Sequence, residues 1–277
     1  MSIETDDPTN DEPCWIETAL DWLQRSQNAM KIVPTDAVTA AQAFVNGDAS
    51  TGIAFMDEAL KTNQQKSKPA ILELSGKAGT SWTLISLAAR FVVATRPSKF
   101  RQSPQPTDLP KIVMIDSLHN ICIQDLVSAV RGTLLLDGEI DAIDSDLEQC
   151  LTRIHLIFVS DTTPTVAALE ALRCKFLTTN EDVPNLLLWD SFLTTIPDKN
   201  GKQEIVRQLM RLWRETNVMV VTSSHRGYSG LDDKYVTCRI RLEAVESTEQ
   251  KQHEHKATLV GSNQQVAFTI GTAGILS

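Results

Sequence analysis

The sequence lacks the features that mark secreted, metal-binding and membrane proteins. It has five cysteines in 277 residues, an odd number without a C-x-x-C pair, which argues against a disulfide framework or a cysteine-based metal site. No apolar run approaches the roughly 18 residues that cross a bilayer. The first residues, MSIETDDPTNDEP, are acidic instead of basic and then apolar. We therefore expect reduced thiols, no secretion signal, no membrane contact and a cytosolic or nuclear location.

Positive charge is also scarce. Lysine and arginine together number 26 against 35 acidic residues, which gives a formal net charge of -9. A protein that holds DNA by neutralising many phosphates is basic, so any contact with nucleic acid here must be local or shared with a partner. The apolar share of 42% is nevertheless enough for a sizeable core.

Three regions follow one another along the chain. Residues 1–14 are acidic and predicted to be disordered, and residues 15–50 to form a short amphipathic helix and a linker. From 51 to 277, short apolar runs alternate with helical segments, which is typical of a parallel sheet covered on both faces. The core is therefore predicted to be α/β and doubly wound. The predicted strands are 71–74, 111–116, 155–160, 185–191 and 218–224, with helices near 82–94, 121–131, 164–177 and 203–215.

After Ser224 the pattern changes to strands without helices. The segments VTCRIRLEAV, HKATLVG and QVAFTI are predicted to add antiparallel strands to one edge of the sheet. The charged stretch 246–255 is predicted to be a solvated hairpin tip, with His253 and His255 at the surface. No neighbouring ligand pattern supports a metal at these histidines.

One loop has the pattern of a phosphate-binding site with two letters changed. Gly76 to Thr83, GKAGTSWT, follows the apolar run ILEL and has the length of the motif G-x-x-x-x-G-K-[ST]. Ser81 stands at the second glycine and Trp82 at the lysine. By itself the stretch is either a nucleotide site that has lost its chemistry or a strand-to-helix turn with Trp82 packed inward.

The order of motifs around this loop resembles the RecA-type recombinases. TGIAFMDEAL and ILELSG lead up to it, and VMIDS, LLLWDS, VMVVTSS and VAFTIGTAGIL follow. Over residues 38–277 the chain is similar to the eukaryotic recombinase paralogues of homologous-recombination repair, and among them to the family of the second X-ray-repair-cross-complementing paralogue. The resemblance implies a RecA-like P-loop NTPase core, mostly parallel, with antiparallel edge strands at the C-terminus.

Four residues match the ATP site that the resemblance implies: Gly76, Gly79, Thr83 and Asp190. In the family, glycines and backbone amides cradle the phosphates at a helix N-terminus, and the hydroxyl at the position of Thr83 holds magnesium. The aspartate at the position of Asp190 binds magnesium through water. From its sequence context alone, Asp190 fits a helix or turn cap equally well.

Three other positions of the family's hydrolytic apparatus are changed together. Trp82 replaces the phosphate-binding lysine, Leu118 the water-activating glutamate and Ser224 the phosphate-sensing glutamine. Leucine cannot accept a proton, and losing a charged hydrogen bond of about 1.5–3 kcal/mol weakens binding roughly tenfold to a hundredfold. We therefore expect no hydrolysis, no metal centre and at most weak binding of ATP and magnesium.

The two loops that grip single-stranded DNA in the family are short here, TTIPDKNGKQ and HRGYSGLDDK. The second loop keeps cations and an aromatic ring for base stacking, but its Asp232 and Asp233 oppose phosphate. Arg207, Arg211 and Arg214 share one helical face, either as a solvated surface or as a patch for DNA or a partner.

The segment that links family members into filaments also departs from the pattern. Residues 38–44, VTAAQAF, begin with valine where the family has phenylalanine, so long homofilaments are not expected. The sequence predicts a nuclear, non-catalytic scaffold or mediator that assembles with other paralogues and the strand-exchange recombinase, and reaches single-stranded DNA through that complex. One alternative is a weakly active DNA-dependent ATPase using Lys77. Another is a kinase-like enzyme, against which the terminal edge strands argue.

Overall fold

The computed structural model describes residues 41–45, 50–61, 70–76, 79–96, 111–137, 143–178, 185–216, 218–224, 231–232, 234–244, 254–260, 265–271 and 274–276. Outside these ranges lie the predicted leader, the predicted helix from Trp15, Lys77, most of the second DNA loop, and His253 with the rest of the predicted hairpin tip before Glu254.

Strands and helices alternate along the first part of the described chain, as predicted. The strands are β1 Ile71–Gly76, β2 Ile112–Asp116, β3 Ile154–Phe158, β4 Asn185–Asp190 and β5 Val218–Ser224. The helices are α1 Ala54–Lys61, α2 Thr80–Ala94, α3 Ile123–Leu136, α4 Ile143–Leu151, α5 Thr162–Thr178 and α6 Lys199–Glu215. The predicted elements are confirmed and differ at their ends, whereas α1 and α4 were not predicted. None of the described helices combines the length and apolar character needed to cross a membrane.

Four more strands complete the sheet: β6 Cys238–Ala244, β7 Glu254–Leu259, β8 Gln265–Gly271 and β9 Gly274–Leu276. The strand order is β3-β2-β4-β5-β1-β6-β7-β8-β9. The antiparallel pairing predicted for the C-terminal strands is confirmed for β7, β8 and β9, but β6 runs parallel to β1. The reason is that the chain returns to the start of β1 before β6 begins, where the Thr237 amide donates to the Ile71 carbonyl at 2.8 Å.

Two apolar layers cover the sheet. Helices α1 to α4 pack on one face and α5 and α6 on the other. Along β1, Leu72 and Leu74 belong to the first layer and Ile71 to the second. Because the central strands are buried on both faces, they are apolar without alternation.

The helical residues 41–45 pack in the first layer, although the sequence places them in a linker. Ala41, Phe44 and Val45 are buried, and Phe44 is only 1% exposed. The ring of Phe44 meets that of Phe91 on α2 edge to face, with centroids 5.1 Å apart. This stretch is therefore part of the chain's own core.

Two buried arginines fix the C-terminal end of α2. Arg153 donates to the Val92 carbonyl at 3.0 Å and to the Thr95 carbonyl at 3.2 Å, which suits the negative end of a helix dipole. Burial lowers the pKa of the Arg153 guanidinium to about 10. Arg96 pairs with Asp137 at 2.7 Å and, on its Nε side, with Asp146 at 3.1 Å. These contacts tie α2 to α3 and α4.

The expectation that His255 lies at a solvated tip is wrong. Strand β7 begins at Glu254, and His255 is only 6% exposed. Its ring stacks on Phe268 of β8, with centroids 5.3 Å apart. His255 and Ala257 share the inward face of β7, as expected when side chains alternate along a strand. The charged residues around them made this alternation hard to recognise in the sequence.

Candidate functional site

The predicted site residues come together at one edge of the sheet. Gly76 ends β1, Asp190 ends β4 and Ser224 ends β5, and these strands run parallel with β5 between the other two. The carboxyl ends of parallel strands are where α/β proteins place their ligands. Helix α2 starts directly after the loop that follows β1, so its N-terminus lies at the same edge.

The loop keeps its glycines for geometric reasons. Gly76 has φ +150°, and a Cβ there would lie 2.0 Å from the Leu242 carbonyl oxygen of β6. Gly79 has φ +81° at the N-cap of α2, and a Cβ there would meet the Ile270 methyl group at 3.3 Å. Side chains are disfavoured at both positions, by close approach at the first and by left-handed backbone at the second.

The two residues that should contact phosphate and metal point elsewhere. The hydroxyl of Thr83 is fully buried and donates to the Gly79 carbonyl of its own helix at 2.7 Å. Trp82 is half-buried and packs against the first apolar layer. The described loop residues thus form a strand-to-helix turn in which the ring at the lysine position serves packing.

Asp190 is fully buried, and four side chains donate hydrogen bonds to it. Ser81 at 3.0 Å and Ser223 at 2.6 Å donate to Oδ1. Asn120 at 3.1 Å and Ser191 at 3.1 Å donate to Oδ2. A carboxylate offers about four lone-pair sites, so its acceptor capacity is used within the chain. We call these five residues the Asp190 cluster.

The sequence did not reveal the donors of the Asp190 cluster. Ser81 was read only as a lost glycine, and Asn120, Ser191 and Ser223 were not singled out. A signal existed for Ser223, because it shares the face of β5 with Met219 and Val221, which pack under α2. Ser224 was expected at the sensor position, but by the same alternation its side chain faces away from Asp190.

Leu118 is 41% exposed in the loop after β2, where an alkyl side chain offers no base. That loop is folded around Asp116, whose carboxylate accepts the amides of Leu118 at 3.1 Å and Ile121 at 2.8 Å. His119, at φ +57°, stacks on Phe158 with ring centroids 4.8 Å apart. The turn is thus held by contacts within the chain, from the Asp116 carboxylate and from ring stacking.

The first DNA loop is shorter than predicted, because α6 begins inside it at Lys199. Asp198 caps this helix by accepting the Gly201 amide at 2.5 Å, which is why the helix starts early. The three arginines of α6 lie along a solvent-facing surface with partners in the chain. These pairs are Arg207 with Glu204 at 2.5 Å, Arg211 with Glu215 at 3.1 Å and Arg214 with the Tyr235 hydroxyl at 3.1 Å.

Hydrogen bonds from the arginines also lower the pKa values of the carboxylates beside them. The Arg211 and Arg173 side chains lower the pKa of Glu215, and Arg207 with Gln208 lowers that of Glu204. Exposed pairs of this kind contribute little energy each. The geometry therefore favours the solvated-surface interpretation of the arginine face.

A magnesium–nucleotide does not fit the residues as they are arranged. The described part of the loop has no lysine, the Thr83 hydroxyl is turned to its own helix, and both oxygens of Asp190 are occupied. Within the described ranges, no group of three or more His, Cys, Asp or Glu side chains could hold a metal ion. The described residues at this edge direct neutral serine and asparagine donors at one carboxylate.

Comparison with known proteins bears on the fold. No protein-family model and no curated protein sequence matches the chain. Among solved structures, the crystal structure of the RadB recombinase matches with a TM-score of 0.53 and 14% identity, over 82% of this chain and 97% of that one. The predicted fold class is confirmed: the chain has a RecA-like α/β core with antiparallel strands at its C-terminal edge.

Proposed function

We propose that this protein is a non-catalytic recombinase paralogue that acts as a scaffold or mediator in the repair of DNA double-strand breaks by homologous recombination. It works in the nucleus and is a relative of the second X-ray-repair-cross-complementing paralogue. The observation that carries the proposal is the Asp190 cluster, in which a RecA-like fold uses its magnesium-type aspartate for four internal hydrogen bonds. Trp82, Leu118 and Ser224 at the other ATP positions agree with it.

Strand β3 supports a role in assembly. It forms one end of the sheet and, among the described strands, pairs only with β2. The Val159 amide donates to the Asp116 carbonyl at 3.3 Å, so by alternation the amide of Leu156 points away from β2. An apolar edge strand with outward amides is suited to receive an extended segment from another protein.

An open groove of about 450 Å³ lies along α4 and the turn that leads into β3, and its lining is apolar and acidic. In strand addition, pockets for alternate side chains of the added strand give specificity. The lining residues are Asp144, Leu147, Glu148, Leu151 and Thr152.

The chain is better suited to accept such a segment than to donate residues 38–44. The described part of that stretch is folded into its own core, with Phe44 1% exposed against α2. Releasing it would expose a buried phenylalanine, a cost of about 3–5 kcal/mol by analogy with truncation. We therefore infer that it joins mixed complexes with other paralogues and the strand-exchange recombinase, and does not form homofilaments.

The test has a biochemical and a cellular arm. The purified chain should hydrolyse no ATP above background with or without single-stranded DNA. The tagged chain, purified from DNA-damaged cells, should bring down recombinase paralogues identified by mass spectrometry. Turnover above background in the wild type that a Lys77→Ala variant loses would establish the alternative, a weakly active ATPase of the same fold.

The Leu156→Pro variant tests the role of β3 in assembly, and Leu156→Val is its control. Proline removes the outward amide of β3 and is tolerated on an edge strand, so the paralogues should be lost while the circular dichroism spectrum is retained. Leu156→Val keeps the amide and should keep the partners. Equal recovery of paralogues by both variants would refute the role of β3.

A further inference from the structure

The Asp190 cluster joins four segments that are distant in sequence. Ser81 comes from the first turn of α2, Asn120 from the loop after β2, Ser191 from the turn after β4 and Ser223 from β5. All four donate to one carboxylate with no exposed surface. Hydrogen bonds in such a dry environment are strong, and breaking one leaves a buried acceptor unsatisfied.

A second set of bonds rigidifies the same junction. The Ser191 amide donates to the Ser223 hydroxyl at 2.9 Å, and the Phe192 amide to the Ser223 carbonyl at 2.9 Å. Ser191 is held at φ +57°, a conformation that non-glycine residues rarely adopt and that persists when its surroundings fix it. The ends of β4 and β5 are thereby linked independently of α2.

The Ser81 bond is the one that adds α2 to this junction. In working P-loop proteins, metal and phosphate bridge the loop at the start of this helix and the carboxylate opposite. Here the residue at the second-glycine position supplies a hydroxyl 3.0 Å from that carboxylate and bridges the gap directly. Serine at position 81 therefore removes the second glycine of the nucleotide motif and also creates a hydrogen bond between α2 and Asp190.

We propose that the Asp190 cluster is a latch that takes the structural place of a bound magnesium–nucleotide. It holds α2 against β4 and β5 in every state of the protein. Resting on the proposed function, this means that the surface offered to recombination partners does not depend on nucleotide.

Hydrogen exchange of the full-length chain, measured by mass spectrometry, tests the latch. The probes are the Thr83 amide, bonded to Gly79 at 2.9 Å in α2, and the Phe192 amide beyond β4. In Ser81→Ala/Ser223→Ala, both should exchange about tenfold or more faster, since each lost hydrogen bond shifts the equilibrium several-fold. Ser81→Ala alone should speed Thr83 several-fold.

Ser75→Ala is the matched control. Ser75 is a half-buried serine at the end of β1 whose hydroxyl donates to the Ile240 carbonyl at 3.4 Å, outside the latch. Its removal should leave both probe amides at wild-type rates. Wild-type exchange in the Ser81→Ala protein would overturn the proposal, and that single variant decides the matter if the double variant does not fold.

The second test measures hydrogen exchange after nucleotide has been added. Millimolar magnesium and ATP should leave exchange at Thr83 unchanged in the wild type, and slowed exchange would overturn the latch. Partner capture is measured with and without the same additions. Capture that requires nucleotide would refute the latch and leave the proposed function standing. Unchanged exchange without any recombination partner would refute the proposed function and leave the latch standing.

Discussion

His155 shows how burial governs ionisation at the scale of one residue. It lies on β3, where burial and the nearby charges of Lys111 and Lys175 lower its pKa to about 3. Lys175 is itself 5% exposed, and burial together with Lys111 lowers its pKa to about 7. Both groups thus release their protons at lower pH in the folded chain than in the unfolded chain, which binds protons at the ordinary values.

The folded protein should therefore lose stability in acid through His155. Between pH 6.5 and about 3 the unfolded state binds one more proton at this residue, so the free energy of unfolding falls as pH falls, by about 1.4 kcal/mol per unit. Urea unfolding at several pH values should show a shallower acid dependence in His155→Gln. Ser145→Ala, an exposed change without a titrating group, should keep the wild-type slope. Parallel slopes for wild type and His155→Gln would contradict the prediction.

An ion pair joins two neighbouring strands at the scale of elements. Glu73 of β1 has no exposed surface and accepts a hydrogen bond from Arg239 of β6 at 2.7 Å. Arg239 also donates to the Leu231 carbonyl at 2.8 Å. Glu73 and Arg239 stand opposite each other in the parallel register of β1 and β6. The pair therefore stabilises the pairing of these two strands.

Replacing Arg239 alone should lower the free energy of unfolding more than replacing both members of the pair. Arg239→Met leaves the Glu73 carboxylate buried without its cation and should lower the free energy of unfolding by about 3–5 kcal/mol. Glu73→Leu should cost less, since the Arg239 side chain is 14% exposed and can turn its charge to water. The double variant should recover most of the loss in urea unfolding. Strict additivity of the two single effects would show that the residues do not act as a pair.

Charge sets the behaviour of the whole molecule towards nucleic acid. The formal net charge is -9, and the arginines of α6 have carboxylate or tyrosine partners in the chain. Exposed pairs are worth little, but their carboxylates cancel the field that phosphate would meet. The described part of the protein thus offers no strongly basic face along α6.

The isolated chain should bind single-stranded DNA only weakly. At physiological salt we expect a Kd in the range of about 10⁻⁶–10⁻⁴ M, typical of non-specific contacts, measured by anisotropy of a labelled oligonucleotide. Arg207→Ala/Arg211→Ala should change it less than about tenfold, because the paired arginines release few counterions. A nanomolar Kd that this variant abolishes would instead identify the α6 face as a DNA site.

The parallel core followed from local patterns because its strands are apolar on both faces, as NLLLW and VMVV are. Helix α4, IDSDLEQCL, was not predicted because Leu147 and Cys150 are its only buried apolar side chains. The direction of β6 also escaped, since apolar alternation is the same for parallel and antiparallel neighbours. Only the path of the chain back to Ile71 decides it.

The sequence by itself determined the frame: an α/β core, a degenerate phosphate loop and an aspartate at the end of β4, all set by local periodicity and motif spacing. What Asp190 does was decided by tertiary structure. Three of its four donors are distant in sequence, Ser81 by 109 positions, and they meet because parallel strands end at one edge beneath α2. In the sequence, Ser81 shows only that the second glycine of the motif is missing. The fold shows that its hydroxyl donates to the Asp190 carboxylate.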